Sequence, residues 1–422
     1  MASLLLTHTH MTLSRFASVF VTSLVLAAGA GCAAEEGAES EDEINTGKLT
    51  PADVSILLPL PKSNANESLA ATAKGKGGDE LVPQTAYKLN GMPLQKVLHP
   101  GFYPLHGAPN VDTEAEERAV LRLTAVRVDP CGRTKPSDPE ARCVPEIRLV
   151  FQPVLATAEG VFEAADGAIH AFYRVSEGEL RAFTKAMFDA RNVGGRFSYT
   201  SLGVHPTLAK EGLTGAFAKE LYAQVKKVCG GGNLERVTFL QRTAAREPVW
   251  VFGITSVTNK VAKVETIATT SSTRQVIEGP GLSLPMHLTG LEDGEAPTET
   301  ASPDKIGALL DRRTTSEAEQ VKALNASLRI DNPLIHSPET MACVECHVAS
   351  GTRKSALAEK PQLKDRIDPA NVFKAPMTAR HVASKDVGNL HSFSWKGTDP
   401  GVSDRAANDS AQIAARMNKL LF

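Results

Sequence analysis

Alternation of apolar with polar side chains at period two is the feature that most restricts how this chain can fold. Ala119-Val120-Leu121-Arg122-Leu123-Thr124-Ala125-Val126-Arg127-Val128 follows it, and so does Glu146-Ile147-Arg148-Leu149-Val150-Phe151-Gln152-Pro153. Each reads as a strand with one buried face, and Ile169-His170-Ala171-Phe172-Tyr173-Arg174-Val175 reads as a third. Directly after it, Ser176 stands three residues before Glu179. That capping-box spacing opens a helix carrying Leu180, Phe183, Met187 and Phe188 on one face. A second helix is expected from Ala216 to Val228, ending at Cys229-Gly230-Gly231-Gly232. Arg236–Leu240 and Val249–Ile254 read as a hairpin or as neighbouring strands. Runs of strands with a few helices favour an α+β arrangement over a doubly wound sheet.

Between Glu278 and Asp304 the chain is rich in Pro, Gly, Thr and acidic residues without periodicity, and it reads as a linker. Beyond it the pattern turns helical. Ser316 and Glu319 form another capping box before Val321, Leu324 and Leu328, and Ser337-Pro338-Glu339 supplies a cap, a first-turn proline and an early acid before Cys343. From Ser403 onward, Ala406, Ser410, Ile413, Met417 and Leu420 recur at helical spacing. The 422 residues allow two or three cores, since one core usually stops growing near about 250 residues. The expected architecture is α+β: a β-rich α+β domain over residues 51–277, a linker over 278–304 and a small all-α domain over 305–422. A formal net charge of -2 gives no electrostatic footprint for nucleic acid.

The first residues read as a targeting segment, with Arg15 as the positive charge and an apolar stretch from Phe16 to Ala28. That stretch is shorter than the roughly 20 apolar residues a spanning helix needs. Gly29-Ala30-Gly31-Cys32 follows and resembles a bacterial lipobox, where the leader is cut before a lipidated cysteine; Gly29 stands where that family usually has Leu, Val or Ile. The resemblance implies a leader over 1–31 and an anchor at Cys32, and the acidic run from Glu35 to Glu43, free of aromatic residues, reads as a tether over 32–50. Acyl chains at one cysteine hold a protein to a bilayer with about 0.8 kcal/mol per buried methylene. The mature chain is expected on the outer side of a membrane, in the cell envelope.

Cys343-Val344-Glu345-Cys346-His347 is the one specific chemical motif. Two residues between the thiols, with an imidazole adjacent, place three reactive groups on one side of a helical turn. The motif resembles the haem-attachment sequence of c-type cytochromes. It implies one covalent haem c, with thioethers to Cys343 and Cys346 and with His347 on the iron. A thioredoxin-like pair would need a βαβ context, and a zinc site a second ligand pair nearby.

The likeness to class I cytochromes c covers about residues 305–422, and it implies Met377, in Lys374-Ala375-Pro376-Met377, as the sixth ligand. His381, His391, Met417 and His336 stay open as alternatives. The order of Asp129-Pro130-Cys131, Leu149–Pro153, His170–Tyr173 and the haem motif resembles bacterial lipoproteins of unassigned activity.

Cys131 and Cys143 flank a polar loop and are expected to pair in an oxidising compartment, leaving Cys229 buried and inert. His99, His106, His170, His205 and His287 show no ligand spacing and read as structural. The leading function is one-electron transfer by a membrane-anchored haem lipoprotein to a protein redox partner not identifiable from the sequence. The alternatives are a haem enzyme or small-molecule sensor with an open sixth position, and an envelope interaction module with a structural haem.

Overall fold

The alternating segments are realised in one ten-stranded antiparallel sheet. The structure is a computed structural model that describes residues 47–86, 88–89, 92–93, 118, 120–133, 143–192, 199–242, 249–279, 287–289, 296–384 and 388–422. The main strands are β1 (Ser55–Leu57), β2 (Leu121–Arg133), β3 (Val144–Ala156), β4 (Phe162–Ala164), β5 (Gly167–Arg174), β6 (Leu234–Arg242), β7 (Val249–Thr258), β8 (Val261–Glu265), β9 (Arg274–Glu278) and β10 (His287–Thr289). Their order is β1-β2-β3-β5-β6-β7-β9-β10, with β4 on β3 and β8 on β7. Mixed α and β content with the strands gathered in one antiparallel sheet is the α+β class expected.

Strand alternation gives the sheet two unlike faces. On one, Val126, Val128, Ile147, Leu149, Phe151, Ala171 and Tyr173 join a core with helices α2 (Glu177–Asn192) and α4 (Ala216–Val228), which contribute Leu180, Phe183, Met187, Phe217, Leu221 and Val225. Helix α2 opens with the expected capping box: Ser176 N–H donates to Glu179 Oε2 at 2.9 Å, and Glu179 N–H donates to Ser176 Oγ at 3.2 Å. Between Leu123 and Ala125 the pairing with β3 slips by a bulge. The slip keeps Leu121, Leu123, Val126 and Val128 on the same face despite the change of parity.

The other face carries two smaller cores separated by polar residues. One gathers Ala125, Val150, Val154, Ala168, Phe393, Trp395, Ala406 and Ala407. The second gathers Leu240, Trp250, Phe252 and Ile277 with Met341, Val344, Val348, Ala349 and Leu390. The covering elements are α6 (Glu317–Ile330), α7 (Cys343–Glu359), the hairpin β11 (Phe393–Lys396) with β12 (Asp399–Val402), and α8 (Asp404–Leu421). Three short helices complete the numbering: α1 (Pro51–Val54), α3 (Pro206–Glu211) and α5 (Gly307–Leu310).

Two expectations are corrected here. The stretch 278–304 is no bare linker: His287–Thr289 adds a strand beside β9, and Thr300, Ser302 and Asp304 are buried. Nor does it mark a break in packing. Residues Glu43–Phe422 form one compact unit, because Ile413, Ala414 and Met417 of α8 enter the core shared with α2 and α4. Asn418 also clasps Leu49 through two hydrogen bonds of 2.7 and 2.9 Å. In addition, Ser337 closes a turn with Thr340 instead of capping a helix, so α7 starts only at Cys343. Among the described residues no helix is long and apolar enough to cross a membrane. Cys32 and the leader lie outside the described residues.

Candidate functional site

Because α7 begins at Cys343, with Ala342 as its N-cap, the motif occupies its first turn. Positions three and four apart share a helical face, so Cys343, Cys346 and His347 are presented together. The exposed amides of that turn find partners. Val344 N–H donates to Oε1 of the buried Gln275 at 3.1 Å, and Cys346 N–H donates to the Ala342 carbonyl at 3.2 Å. Val344, Val348 and Ala349 bury against Trp250, Phe252 and Ile277, which seats the turn on the sheet.

His347 is oriented through its Nδ1, which lies 2.7 Å from the Leu390 carbonyl oxygen. A carbonyl can only accept, so Nδ1 holds the proton and Nε2 keeps its lone pair, the form in which imidazole binds a metal. Burial lowers the His347 pKa to about 4, the Leu390 bond opposing it, and the ring is neutral at pH 7. The Phe252 ring packs 5.0 Å away, centroid to centroid.

Opposite the motif the sheet presents a cross-strand row, Arg127 beside Arg148, Arg148 beside Phe172, and Phe172 beside Arg236. The next row holds Val150, His170, Thr238 and Ile254. Both guanidinium groups flank the aromatic ring, Arg148 at 4.4 Å and Arg236 at 4.0 Å from its centroid. Glu146 stands 3.6 Å from each of them. Between these rows and the first turn of α7 lies a cleft with about 740 Å³ of empty space, its third side formed by Arg405, Ala406 and Asp409 of α8.

The donor set fits a c-type haem. Cys343 and Cys346 are both free. Burial raises the pKa of both thiols, and at Cys343 the neighbouring Cys346 and Glu345 add to the rise. Redox-active pairs run the other way, with one thiol lowered. Among the described residues no group of three or more His, Cys, Asp or Glu is placed to hold a metal ion by itself. A porphyrin brings four nitrogens of its own and asks the protein for one imidazole. Arg127, Arg148, Arg236 and Arg405 in the cleft walls match its two carboxylates.

The other expected residues are placed as follows. Met377 is not brought to the motif: it packs against the core of α2 and α4, whereas Cys343 and Cys346 pack against the core on the opposite face, and the cleft is lined without Met377. Met417 is buried in the same distant core. His336 has Nδ1 3.2 Å from Thr340 Oγ1 and Nε2 2.8 Å from Asp304. His381 Nε2 lies 3.1 Å from Asp404, and His391 is held between Asp166 at 3.2 Å and Ser394 at 2.9 Å. Cys131 and Cys143 form the expected disulfide. Cys229 is free and buried, and burial raises its thiol pKa.

The chain matches no protein-family model, no curated protein and no solved structure. The site therefore speaks through its own residues. Sequence reasoning missed His170 and the arginine–phenylalanine row. The signal was there in part, since alternation along β5 puts His170 and Phe172 on one face, but which strands lie beside β5 is not written in its own pattern.

Proposed function

We propose that this chain carries one c-type haem on Cys343, Cys346 and His347 and passes single electrons to a protein partner. The carrying observation is the first turn of α7, where two free thiols and an imidazole fixed by Leu390 face one cleft. Cys343 and Cys346 would hold the porphyrin, each sulfur bonding one carbon of a vinyl group while the thiol hydrogen goes to the other, so that nothing would leave. Bound there, haem supplies a one-electron couple.

The protein's own groups define the environment. His347 keeps Nε2 unprotonated because burial disfavours its charged form. Leu390 holds the ring's rotation, as outer partners of metal-bound histidines do. Phe172, Ile254 and Met341 give the cleft an apolar lining, while Arg127, Arg148, Arg236 and Arg405 supply positive charge to its walls. Positive charge nearby favours the reduced, less positive iron.

The reading of an exported lipoprotein anchored through Cys32 rests on the apolar leader of residues 16–28 and the small residues before Cys32. The Cys131–Cys143 disulfide suits the oxidising compartment that export would reach. Spectroelectrochemical titration of the haem-loaded protein tests the carrier reading: one reversible step of one electron is expected. Visible absorption that does not respond to reductant would contradict it.

A further inference from the structure

We infer that His170 is the second axial ligand of the iron, facing His347 across the cleft. The inference deepens the haem reading above and rests on it. The two imidazole centroids are 6.3 Å apart, with the rings tilted 37° to each other. Two imidazoles bonded to opposite sides of one metal at roughly 2.0–2.1 Å place their centroids roughly 6.4 Å apart. Both rings line the same cleft.

The other candidate ligands among the described residues are committed elsewhere. His336, His381 and His391 are engaged by Asp304, Asp404 and Asp166, respectively, and Met377 and Met417 belong to the opposite core. Among the described residues His170 makes its ring contact with His347 and no hydrogen bond or ion pair. Its backbone sits mid-strand, opposite Val150 on one side and Thr238 on the other. A side chain carried by a strand paired on both edges is held more rigidly than one on a loop such as that of Met377. One ligand then comes from the sheet and the other from α7, so the haem would be clamped between the two layers. Two imidazoles give a lower reduction potential than an imidazole with a methionine, and they leave no position for a small molecule. The consequence favours a carrier over a sensor.

The test uses the full haem-loaded protein. Oxidised and reduced spectra should both be low-spin, without the near-infrared methionine band and without a shift under carbon monoxide. His170→Ala should keep the mass of one porphyrin, lose the low-spin bands, shift under carbon monoxide, and recover low-spin bands when imidazole is added. His170→Met, which keeps a ligand in place, should gain the methionine band and a higher potential. A methionine band in the unsubstituted protein overturns the inference and leaves the haem reading standing. So do His170→Ala and His170→Met variants that carry porphyrin with unaltered spectra. Unsubstituted protein without porphyrin overturns both.

Discussion

His347 donates its Nδ1 proton to the carbonyl oxygen of Leu390 across 2.7 Å, and this one bond fixes both the tautomer and the rotation of the ring. Leu390 belongs to the loop before β11, and its side chain is buried in the core that also seats α7. Stability of that core and orientation of the proposed ligand are thereby coupled. Leu390→Ala is expected to cost roughly 2–5 kcal/mol, the usual range for a buried leucine. Denaturant unfolding of the holoprotein measures this, and a loss below about 1 kcal/mol would show the loop to be loosely packed.

Arg148 places a guanidinium on the cleft wall, stacked 4.4 Å from the centroid of Phe172. At an effective dielectric near 20, a unit charge about 10 Å from the iron is worth roughly 1.7 kcal/mol. For a one-electron couple about 1.4 kcal/mol corresponds to about 59 mV. Arg148→Ala should therefore lower the reduction potential by tens of millivolts. An unchanged or raised potential in a redox titration would place the iron away from this wall.

Asp129 lies on the same sheet face, and burial together with the nearby Glu146 charge pushes its carboxyl up to about 6, against a hydrogen bond from the Cys131 amide. A carboxyl that binds its proton more tightly when folded destabilises the fold as pH rises from its unfolded value, about 4, through about 6. Asp129→Asn removes that loss. Because Asp129 keeps partial exposure, screening reduces the full effect to about 1–2 kcal/mol. The variant should be more stable than the parent at pH 7 and equal to it at pH 3. Parallel stability curves across that range would refute the assignment.

The Cys131–Cys143 disulfide spans 12 residues between β2 and β3. Cross-linking a loop of this size contributes on the order of 3 kcal/mol, chiefly by restricting the unfolded chain. The double substitution Cys131→Ser with Cys143→Ser should lower stability by that amount while leaving the visible spectrum intact. A spectral change would mean that the adjoining cleft depends on the bridge.

What the sequence disclosed follows the range of each interaction. Alternation in β2, β3 and β5 and the Ser176–Glu179 and Ser316–Glu319 capping boxes are local, and they are present as expected. The stretch 278–304 read as a linker because its own composition gives no period. Its end is ordered by distant partners, Asp304 meeting Arg329 at 2.8 Å and His336 at 2.8 Å. Ser337 carried a helix-start signal but closes a tight turn, since Thr340 Oγ1 accepts its amide at 2.9 Å. The thiols and His347 were legible as a motif. Met377 is implied only by the likeness to class I cytochromes c, and β-sheet register, which brings His170 to the same cleft, has no local signature in the chain.

Intact mass and peptide mapping of mature protein, made in a host competent in cytochrome c maturation, test the central claim most directly. The expected result is the added mass of one haem, confined to the peptide carrying Cys343 and Cys346 and absent from the double substitution to serine. Mature protein with both thiols free and no added porphyrin mass would contradict it.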